Sequence, residues 1–308
     1  MAILLVPTDH ASIAAALAAA NPGDTIVVEA AYATAEAVTI TLSSIIIQGD
    51  TAQAGIELTL GVGAQDISVT GVTPFEIIDN TGDNEIIGAA FSNTAVTLTG
   101  GDDTVSLGED AGDFDDLTID WSGATVAISG AFDDGSGSLS SSDPGYQLTF
   151  SGAERVILTT GSGNDSLSVG AGDDMVTTGG GNDTVEVSAG LDTVDLGEDV
   201  GDDDVMIINW GATTGAVFGD LSAGVLTGVE PGYGLNVTGA ERFSVTTGSE
   251  NDSITTGSGN DTIISGDGDD TLDGGDGNDE INAGDGANSI VGGEGDDTIN
   301  AGNGNDTI

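Results

Sequence analysis

Residues 247–308 decide the fold, because they divide into nine-residue units that read TGSENDSIT, TGSGNDTII, SGDGDDTLD, GGDGNDEIN, AGDGANSIV, GGEGDDTIN and AGNGNDTI. The second position is glycine in all seven units, and the fourth is glycine in six, with Glu250 as the exception. The sixth position is Asp or Asn, and the eighth is always aliphatic. A fixed period with one aliphatic position indicates a solenoid, in which each unit buries its apolar side chain against its neighbours.

A second block of such units, TGSGNDSLS, VGAGDDMVT, TGGGNDTVE and VSAGLDTVD, occupies residues 160–195. A longer duplication includes both blocks, since GAERVILTTGSGNDS at 152–166 recurs as GAERFSVTTGSENDS at 239–253. We therefore predict three parts: an N-terminal segment over 1–75, a module over 76–195 that ends in the first block, and a module over 196–308 that ends in the second block.

The spelling of the unit predicts a metal site made only of oxygen atoms. Glycine at positions two and four permits a positive φ, so that carbonyl oxygens turn into a tight loop, and Asp at position six adds a carboxylate. Carbonyl and carboxylate oxygens together suit Ca²⁺. The predicted ligand residues at position six are Asp165, Asp174, Asp183, Asp192, Asp252, Asp261, Asp270, Asp279, Asn288, Asp297 and Asp306, and the predicted loop glycines are Gly161, Gly163, Gly170, Gly172, Gly179, Gly181, Gly257, Gly259, Gly266, Gly268, Gly275, Gly277, Gly284, Gly286, Gly293 and Gly295.

The spacing of these residues predicts how they meet. If two units complete one coil, carboxylates 18 residues apart, such as those of Asp252 and Asp270, face the same gap between stacked loops. Parallel strands stack about 4.8 Å apart, so these carboxylates repel one another unless a cation lies between them. We therefore expect multiple calcium ions as cofactors and a chain that is largely unfolded without them.

The consensus G-G-x-G-x-D-x-U-x, where U is aliphatic, resembles the RTX or haemolysin-type calcium-binding repeat over residues 160–195 and 247–308. This resemblance implies a parallel β-roll with Ca²⁺ between stacked loops. It also implies type I secretion to the outside or the surface of a bacterial cell. It leaves the activity open, because such repeats occur in toxins, metalloproteases, lipases, epimerases, adhesins and surface-layer proteins.

The N-terminal segment has a different pattern. Residues 10–20 predict one short helix with Ala14, Leu17 and Ala18 on one face, and three β-branched runs follow within residues 25–47. The stretch 21–28, NPGDTIVV, resembles the N-terminal cap of pectate-lyase-like right-handed β-helices. We therefore predict an all-β fold, a parallel β-solenoid (right-handed β-helix or β-roll) with a short N-terminal cap helix.

Composition limits the partners. The chain has 53 Asp plus Glu and two basic residues, a formal net charge of −51 and no cysteine. Nucleic-acid binding is excluded, because phosphate contacts need Lys and Arg. Membrane insertion by this segment is not expected, since no apolar run approaches about 18 residues. Calcium ions are the expected partners, and cell-surface polysaccharide or another surface component is a further candidate.

No catalytic residue can be assigned. The chain lacks H-E-x-x-H and G-x-S-x-G, and residues 1–154 contain no Lys or Arg for a lyase mechanism. We therefore expect a structural or adhesive protein, secreted or at the cell surface. The alternative is the N-terminal part of a secreted carbohydrate-active β-helix enzyme of the lyase or epimerase type, since glycosidase chemistry needs only two carboxylates. The sequence ends inside a repeat at Ile308, which predicts a longer protein.

Four further residues are conspicuous because their types are rare in this chain. Trp121 and Trp210 each follow an alternating strand and are predicted to be core anchors, with sugar stacking as the alternative. Arg155 and Arg242 are predicted to pair with neighbouring acids or to present a carbonyl to the first Ca²⁺ of the following repeats, with a substrate-anion contact as the alternative.

Overall fold

A computed structural model describes residues 2–28, 36–42, 44–49, 56–60, 66–71, 75–78, 82–88, 94–107, 115–133, 135–143, 145–197 and 201–308. The chain divides into two compact units, Met1–Thr159 (unit 1) and Thr160–Ile308 (unit 2). The predicted boundaries at residues 75 and 195 remain a prediction.

Unit 1 has one helix and fifteen strands in the residues described. The helix is α1, Ile13–Ala19. The strands are β1 (Ile3–Val6), β2 (Thr25–Val28), β3 (Glu36–Ile40), β4 (Ile45–Gly49), β5 (Ile56–Leu60), β6 (Asp66–Gly71), β7 (Phe75–Ile78), β8 (Glu85–Ile87), β9 (Thr94–Leu98), β10 (Gly101–Ser106), β11 (Asp116–Asp120), β12 (Ile128–Asp133), β13 (Ser136–Ser141), β14 (Tyr146–Ser151) and β15 (Arg155–Thr159).

The strands of unit 1 form two parallel ladders. One runs β1-β2-β4-β6-β8-β10-β14, and the other runs β3-β5-β7-β9-β11-β15. Strands that alternate between two ladders are those of a parallel coil, which confirms the predicted β-solenoid. β12, β13 and β14 depart from this pattern, because they form an antiparallel meander. Only two residues separate β12 from β13, which is a hairpin connection rather than a parallel crossover.

The cap helix is present and is shorter than the predicted span of residues 10–20. The helix begins after Ser12, whose hydroxyl accepts a hydrogen bond from the Ala15 N–H at 3.1 Å. Ile13 and Ala16 are its buried residues, whereas Ala14 and Ala18 are exposed.

The described residues of unit 2 form fifteen strands and one 3-10 turn, Leu221–Ala223. The strands are β16 (Ser166–Val169), β17 (Met175–Thr177), β18 (Thr184–Val187), β19 (Gly190–Asp195), β20 (Val205–Asn209), β21 (Val217–Asp220), β22 (Val225–Gly228), β23 (Tyr233–Thr238), β24 (Arg242–Thr246), β25 (Ser253–Ser258), β26 (Thr262–Ile264), β27 (Thr271–Asp276), β28 (Glu280–Asn282), β29 (Ser289–Glu294) and β30 (Thr298–Asn300).

Unit 2 is again built on parallel ladders. One runs β16-β18-β20-β24-β26-β28-β30, and the other contains β17-β19-β23 and β25-β27-β29. An antiparallel meander of β21, β22 and β23 lies within the second ladder, and β21 pairs in parallel with β25. The duplicated sequence module therefore contains a three-stranded antiparallel meander in both units. The sequence pattern alone did not predict this meander.

In the repeat blocks, aliphatic side chains from position eight of the nonapeptides contribute to the core. Leu167, Val185, Ile263 and Leu272 are at most 3% exposed. Ile308 is 74% exposed, contrary to the predicted inward position. Within the described residues, no helix combines the length and apolar character needed to span a bilayer.

The predictions for the rare residues are confirmed. Trp121 and Trp210 are fully buried, and their rings make edge contacts with those of Tyr146 and Tyr233, each with centroids 5.5 Å apart. Arg155 pairs with Asp116 at 2.7 Å in unit 1. Arg242 pairs with Asp203 at 2.7 Å in unit 2.

Candidate metal centre

The strand register places nonapeptide positions on top of one another every 18 residues. Thr262 of β26 pairs with Glu280 of β28, and Thr271 of β27 pairs with Ser289 of β29. Two nonapeptides therefore complete one coil, as the spacing predicted. The loops that precede these strands consequently stack along the two edges of the solenoid.

Each sixth-position residue reaches toward the preceding coil. The Asp252 N–H donates to Asp270 Oδ1 at 2.8 Å, and the Asp261 N–H donates to Asp279 Oδ1 at 2.9 Å. The same bond recurs from coil to coil, so that the eleven predicted residues form four columns: Asp165 and Asp183; Asp174 and Asp192; Asp252, Asp270, Asn288 and Asp306; and Asp261, Asp279 and Asp297.

Burial makes the ionised form of the carboxylates in these columns unfavourable. Nine of the eleven sixth-position residues are at most 3% exposed, and Asp297 and Asp306 are half-buried. Desolvation is the main reason why the pKa of Asp192 is raised to about 8, although a backbone hydrogen bond from Asp174 acts in the opposite direction. Desolvation likewise raises the pKa of Asp270 and Asp279 above the ordinary value. Such carboxylates need a proton or a cation.

The second carboxylate oxygen provides a test of whether a cation fits. Among the described residues, no hydrogen-bond donor reaches Oδ2 of Asp192 or Asp279, although both atoms are buried. Buried charged groups are normally paired or coordinate metals. These oxygens are therefore suitable ligands, while Oδ1 is held in place by the backbone.

Backbone carbonyls provide the other oxygen atoms. A Cβ on Gly277 would lie 1.5 Å from the Gly259 carbonyl oxygen, and the φ of Gly277 is +140°. Only glycine allows stacked loops to approach so closely. The predicted glycines Gly161, Gly163 and Gly172 present carbonyls to Gly179, Gly181 and Gly190 in the next coil, and Gly170 is buried. The remaining predicted glycines stack in the columns Gly257, Gly275 and Gly293; Gly259, Gly277 and Gly295; Gly266 and Gly284; and Gly268 and Gly286.

Asn288 shows where these oxygens converge. Its Oδ1 accepts from the Asp270 N–H at 2.9 Å, as an aspartate would. Its amide nitrogen donates to the carbonyl oxygens of Gly284 at 3.4 Å and Ala301 at 3.2 Å. A partly positive NH₂ group thus occupies the position of Oδ2, among carbonyls of two successive coils. The donor set fits a hard cation that prefers oxygen.

Carboxylates alone do not make this site. In the part of the chain that the structure describes, no three His, Cys, Asp or Glu side chains come together as a metal-binding group. Each gap would instead combine carboxylates of two coils with loop carbonyls. A cation in the gap would neutralise the stacked carboxylates and be coordinated by both loops.

A parallel β-solenoid with all-oxygen loops along its edges defines a class of calcium-binding repeat protein. Residues 157–198, 246–281 and 273–308 match the family described as the RTX calcium-binding nonapeptide repeat (4 copies). The chain therefore carries RTX repeats, which bind Ca²⁺ at multiple sites. The comparison with curated proteins gives no match.

Two kinds of site residue were missed by the sequence analysis. The first is a hydroxyl at position one of some units: the Thr247 hydroxyl lies 2.5 Å from Asp252 Oδ2, and the Ser265 hydroxyl lies 2.6 Å from Asp270 Oδ2. The second is the glutamate of the repeated GAER motif, because Glu241 Oε2 accepts from the Asp204 N–H at 2.8 Å. The alternation of Thr and Ser with Gly, Ala and Val at position one was visible in the sequence.

Proposed function

We propose that this chain is a calcium-folded structural or adhesive segment of a protein that bacteria secrete or hold at the cell surface. The observation that carries the proposal is the stack of buried aspartates, with Oδ2 atoms of Asp192 and Asp279 that no described donor reaches. A chain with two basic residues has almost no positive side chains with which to neutralise such columns.

The role of each repeat residue follows from its contacts. Backbone N–H groups orient the carboxylates, glycines admit the next loop, and position-eight side chains fill the narrow core. Bound Ca²⁺ supplies the positive charge that this arrangement lacks. Without it, stacked carboxylates oppose the approach of the coils, and the thin apolar core cannot compensate.

An extracellular location suits this dependence. Calcium sites of extracellular modules typically have dissociation constants of about 10⁻⁴–10⁻³ M. A chain that remains unfolded at the low Ca²⁺ of the cytosol and folds outside is also suited to export in an unfolded form. We therefore include type I secretion, which the repeat type suggests, in the proposal.

A structural or adhesive role suits the described surface better than catalysis. No contact among the described residues selects a pair of carboxylates as an acid and a base, so the carbohydrate-active alternative has no supporting observation. The acidic edges could instead bind surface polysaccharide through shared calcium ions. The predicted likeness of the N-terminal segment to pectate-lyase-like caps remains a prediction.

Circular dichroism of the full chain during a Ca²⁺ titration tests the folding part of the proposal. The spectrum in EDTA should be mostly coil and should become β-rich with a midpoint near 10⁻⁴–10⁻³ M. Replacing Asp270 and Asp279 together with alanine should raise this midpoint more than replacing Asp9 and Asp24 together. Identical spectra in EDTA and Ca²⁺ would contradict the proposal.

Co-sedimentation with insoluble bacterial surface polysaccharide tests the adhesive part. Wild-type chain should sediment with the polysaccharide in millimolar Ca²⁺ and remain in solution in EDTA. Bovine serum albumin, as an acidic protein without repeats, provides the background. If folded chain in Ca²⁺ stays in solution at the background level, the adhesive role is wrong even where calcium-dependent folding holds.

A further inference from the structure

Asp204 lies outside both repeat blocks but is fully buried. It ends the acidic run Asp202-Asp203-Asp204, which lacks the glycine spacing of a nonapeptide, and the matched repeat segment ends at residue 198. Its side chain is 0% exposed. A buried acid in a stretch that does not spell a ligand loop needs its own explanation.

Hydrogen bonds make Asp204 a member of a carboxylate column. The Asp165 N–H donates to Asp183 Oδ1 at 2.8 Å, and the Asp183 N–H donates to Asp204 Oδ1 at 2.7 Å. The Asp204 N–H then donates to Glu241 Oε2 at 2.8 Å. Four successive coils thus carry an acid at the same level, although the interval from Asp183 to Asp204 is 21 residues rather than 18.

The carbonyl column continues with the acids. A Cβ on Gly197 would lie 1.7 Å from the Gly179 carbonyl oxygen, and one on Gly239 would lie 2.0 Å from the Gly197 carbonyl oxygen. At Gly197 and Gly239 the backbone therefore approaches the preceding coil as closely as it does at the repeat glycines. Both elements of an oxygen cage extend past the end of the repeat block.

The charge of Asp204 has no counterpart. No donor among the described residues reaches its Oδ2. Arg242, the only Lys or Arg in unit 2, is paired with Asp203 at 2.7 Å.

Asp183, the neighbouring acid in the same column, resembles Asp204 in the hydrogen bonding of its second carboxylate oxygen. Its Oδ2 makes no hydrogen bond of normal geometry with a described residue. The nearby Thr178 hydroxyl donates to the Leu196 carbonyl oxygen at 3.0 Å. Buried charged groups in proteins are paired or coordinate metals, and no cationic side chain reaches these two.

We propose that Asp183 and Asp204 are ligands of a further calcium site, formed between the last coil of the first repeat block and the first coil of the spacer, residues 196–246. This inference rests on the proposed calcium-dependent folding. The site would couple the folding of the spacer to that of the block, because its ligands come from both.

Native mass spectrometry of the full chain in calcium-containing volatile buffer can count the bound ions. Asp204→Asn should bind one Ca²⁺ fewer than wild type. The matched control is Asp203→Asn, which removes the same charge from the exposed neighbour and should keep the wild-type number. An unchanged number in Asp204→Asn would overturn the inference and indicate that Asp204 carries a proton instead.

This experiment distinguishes a failure of the proposed function from a failure of the additional calcium site. A wild-type chain that binds no calcium contradicts the proposed function, whereas a wild-type chain that binds several, with the same number in Asp204→Asn, contradicts only the additional site. Asparagine is tolerated at the equivalent position, as Asn288 shows. If Asp204→Asn nevertheless fails to fold, anomalous diffraction from wild-type crystals grown with Tb³⁺ tests whether a cation binds beside Asp204. A peak beside Asp204 Oδ2 supports the site, and peaks confined to the repeat blocks overturn it.

Discussion

The second repeat block contains two kinds of loop. The first three units, residues 247–273, begin with Thr247, Thr256 and Ser265, whereas the last four, residues 274–308, begin with glycine or alanine. In the first group, a buried hydroxyl lies beside the carboxylate or the facing carbonyl. The Ser265 hydroxyl, for example, is 2.6 Å from Asp270 Oδ2 and 3.2 Å from the Ala283 carbonyl oxygen. In the second group, Asp279 Oδ2 has no such neighbour. In the first group, Thr256 differs from Thr247 and Ser265, because its hydroxyl donates to the Gly274 carbonyl oxygen at 2.8 Å and Asp261 Oδ2 accepts no hydrogen bond from a described residue.

The difference shows how the same loop can be more or less dependent on a cation. A hydroxyl can donate to one oxygen at a time, so it relieves part of the unsatisfied acceptor capacity in the gap. The amide of Asn288 does the same with two donors. Loops without these groups have only a metal or a proton to compensate a buried carboxylate. We therefore expect residues 274–308 to need more Ca²⁺ than residues 247–273.

Asn288→Asp should have the largest effect on this comparison. The change replaces two amide donations with an unpartnered carboxylate, and an uncompensated buried charge costs about 3–5 kcal/mol. At limiting Ca²⁺, amide protection across residues 274–308 should fall, while at saturating Ca²⁺ it should equal or exceed that of wild type. Hydrogen exchange with mass spectrometry measures both conditions, and Asn282→Asp, at an exposed position, is the control. Loss of protection at both calcium levels would mean that the amide is purely structural.

Thr247→Val should have an intermediate effect and make a hydroxyl-bearing loop resemble the others. Valine already occupies position one at Val169 and Val187, so its shape is accommodated. Leaving Asp252 Oδ2 without its donor should cost about 1–3 kcal/mol at limiting Ca²⁺ and less at saturation. The calcium midpoint for protection of residues 247–273 should therefore rise. Thr227→Val, on the exposed surface of β22, should leave the midpoint unchanged, and an equal shift in both variants would contradict the role of the hydroxyl.

The smallest expected effect concerns an aspartate whose oxygens both have donors. Asp24 accepts hydrogen bonds from the backbone N–H groups of Ala2 and of Asn21, which lower its pKa to about 2. Because the pKa is lower in the folded state, ionised Asp24 stabilises the N-terminal coil above about pH 4. This contribution is lost as the pH falls from 4 toward 2.

Asp24→Asn should therefore weaken protection of residues 13–28 at pH 7 and have little effect at pH 2. Hydrogen exchange of wild type and variant at the two pH values measures the difference, with Asp9→Asn as an exposed control. A difference of the same size at both pH values would show that the negative charge of Asp24 does not contribute.

Much of the fold and of the metal columns could be predicted because both follow from a local period. Position eight is aliphatic and buried, position six is acidic and stacked, and the 18-residue register follows from two units per coil. The antiparallel meanders could not be predicted in this way, because their strands lack the nine-residue period. The acidic run 202–204 reads as a solvated loop or an irregular ion site, and the place of Asp204 in a column could not be predicted, since it depends on stacking across a 21-residue interval.

Hydrogen exchange of the wild-type chain across a calcium titration, read separately for residues 247–273 and 274–308, tests the central claim most directly. The account predicts that both segments exchange rapidly in EDTA and are protected in millimolar Ca²⁺, and that residues 274–308 gain protection at the higher calcium concentration. Equal protection in EDTA and in Ca²⁺ would contradict calcium-dependent folding. Protection of residues 274–308 at a lower concentration than residues 247–273 would contradict the role assigned to the position-one hydroxyls.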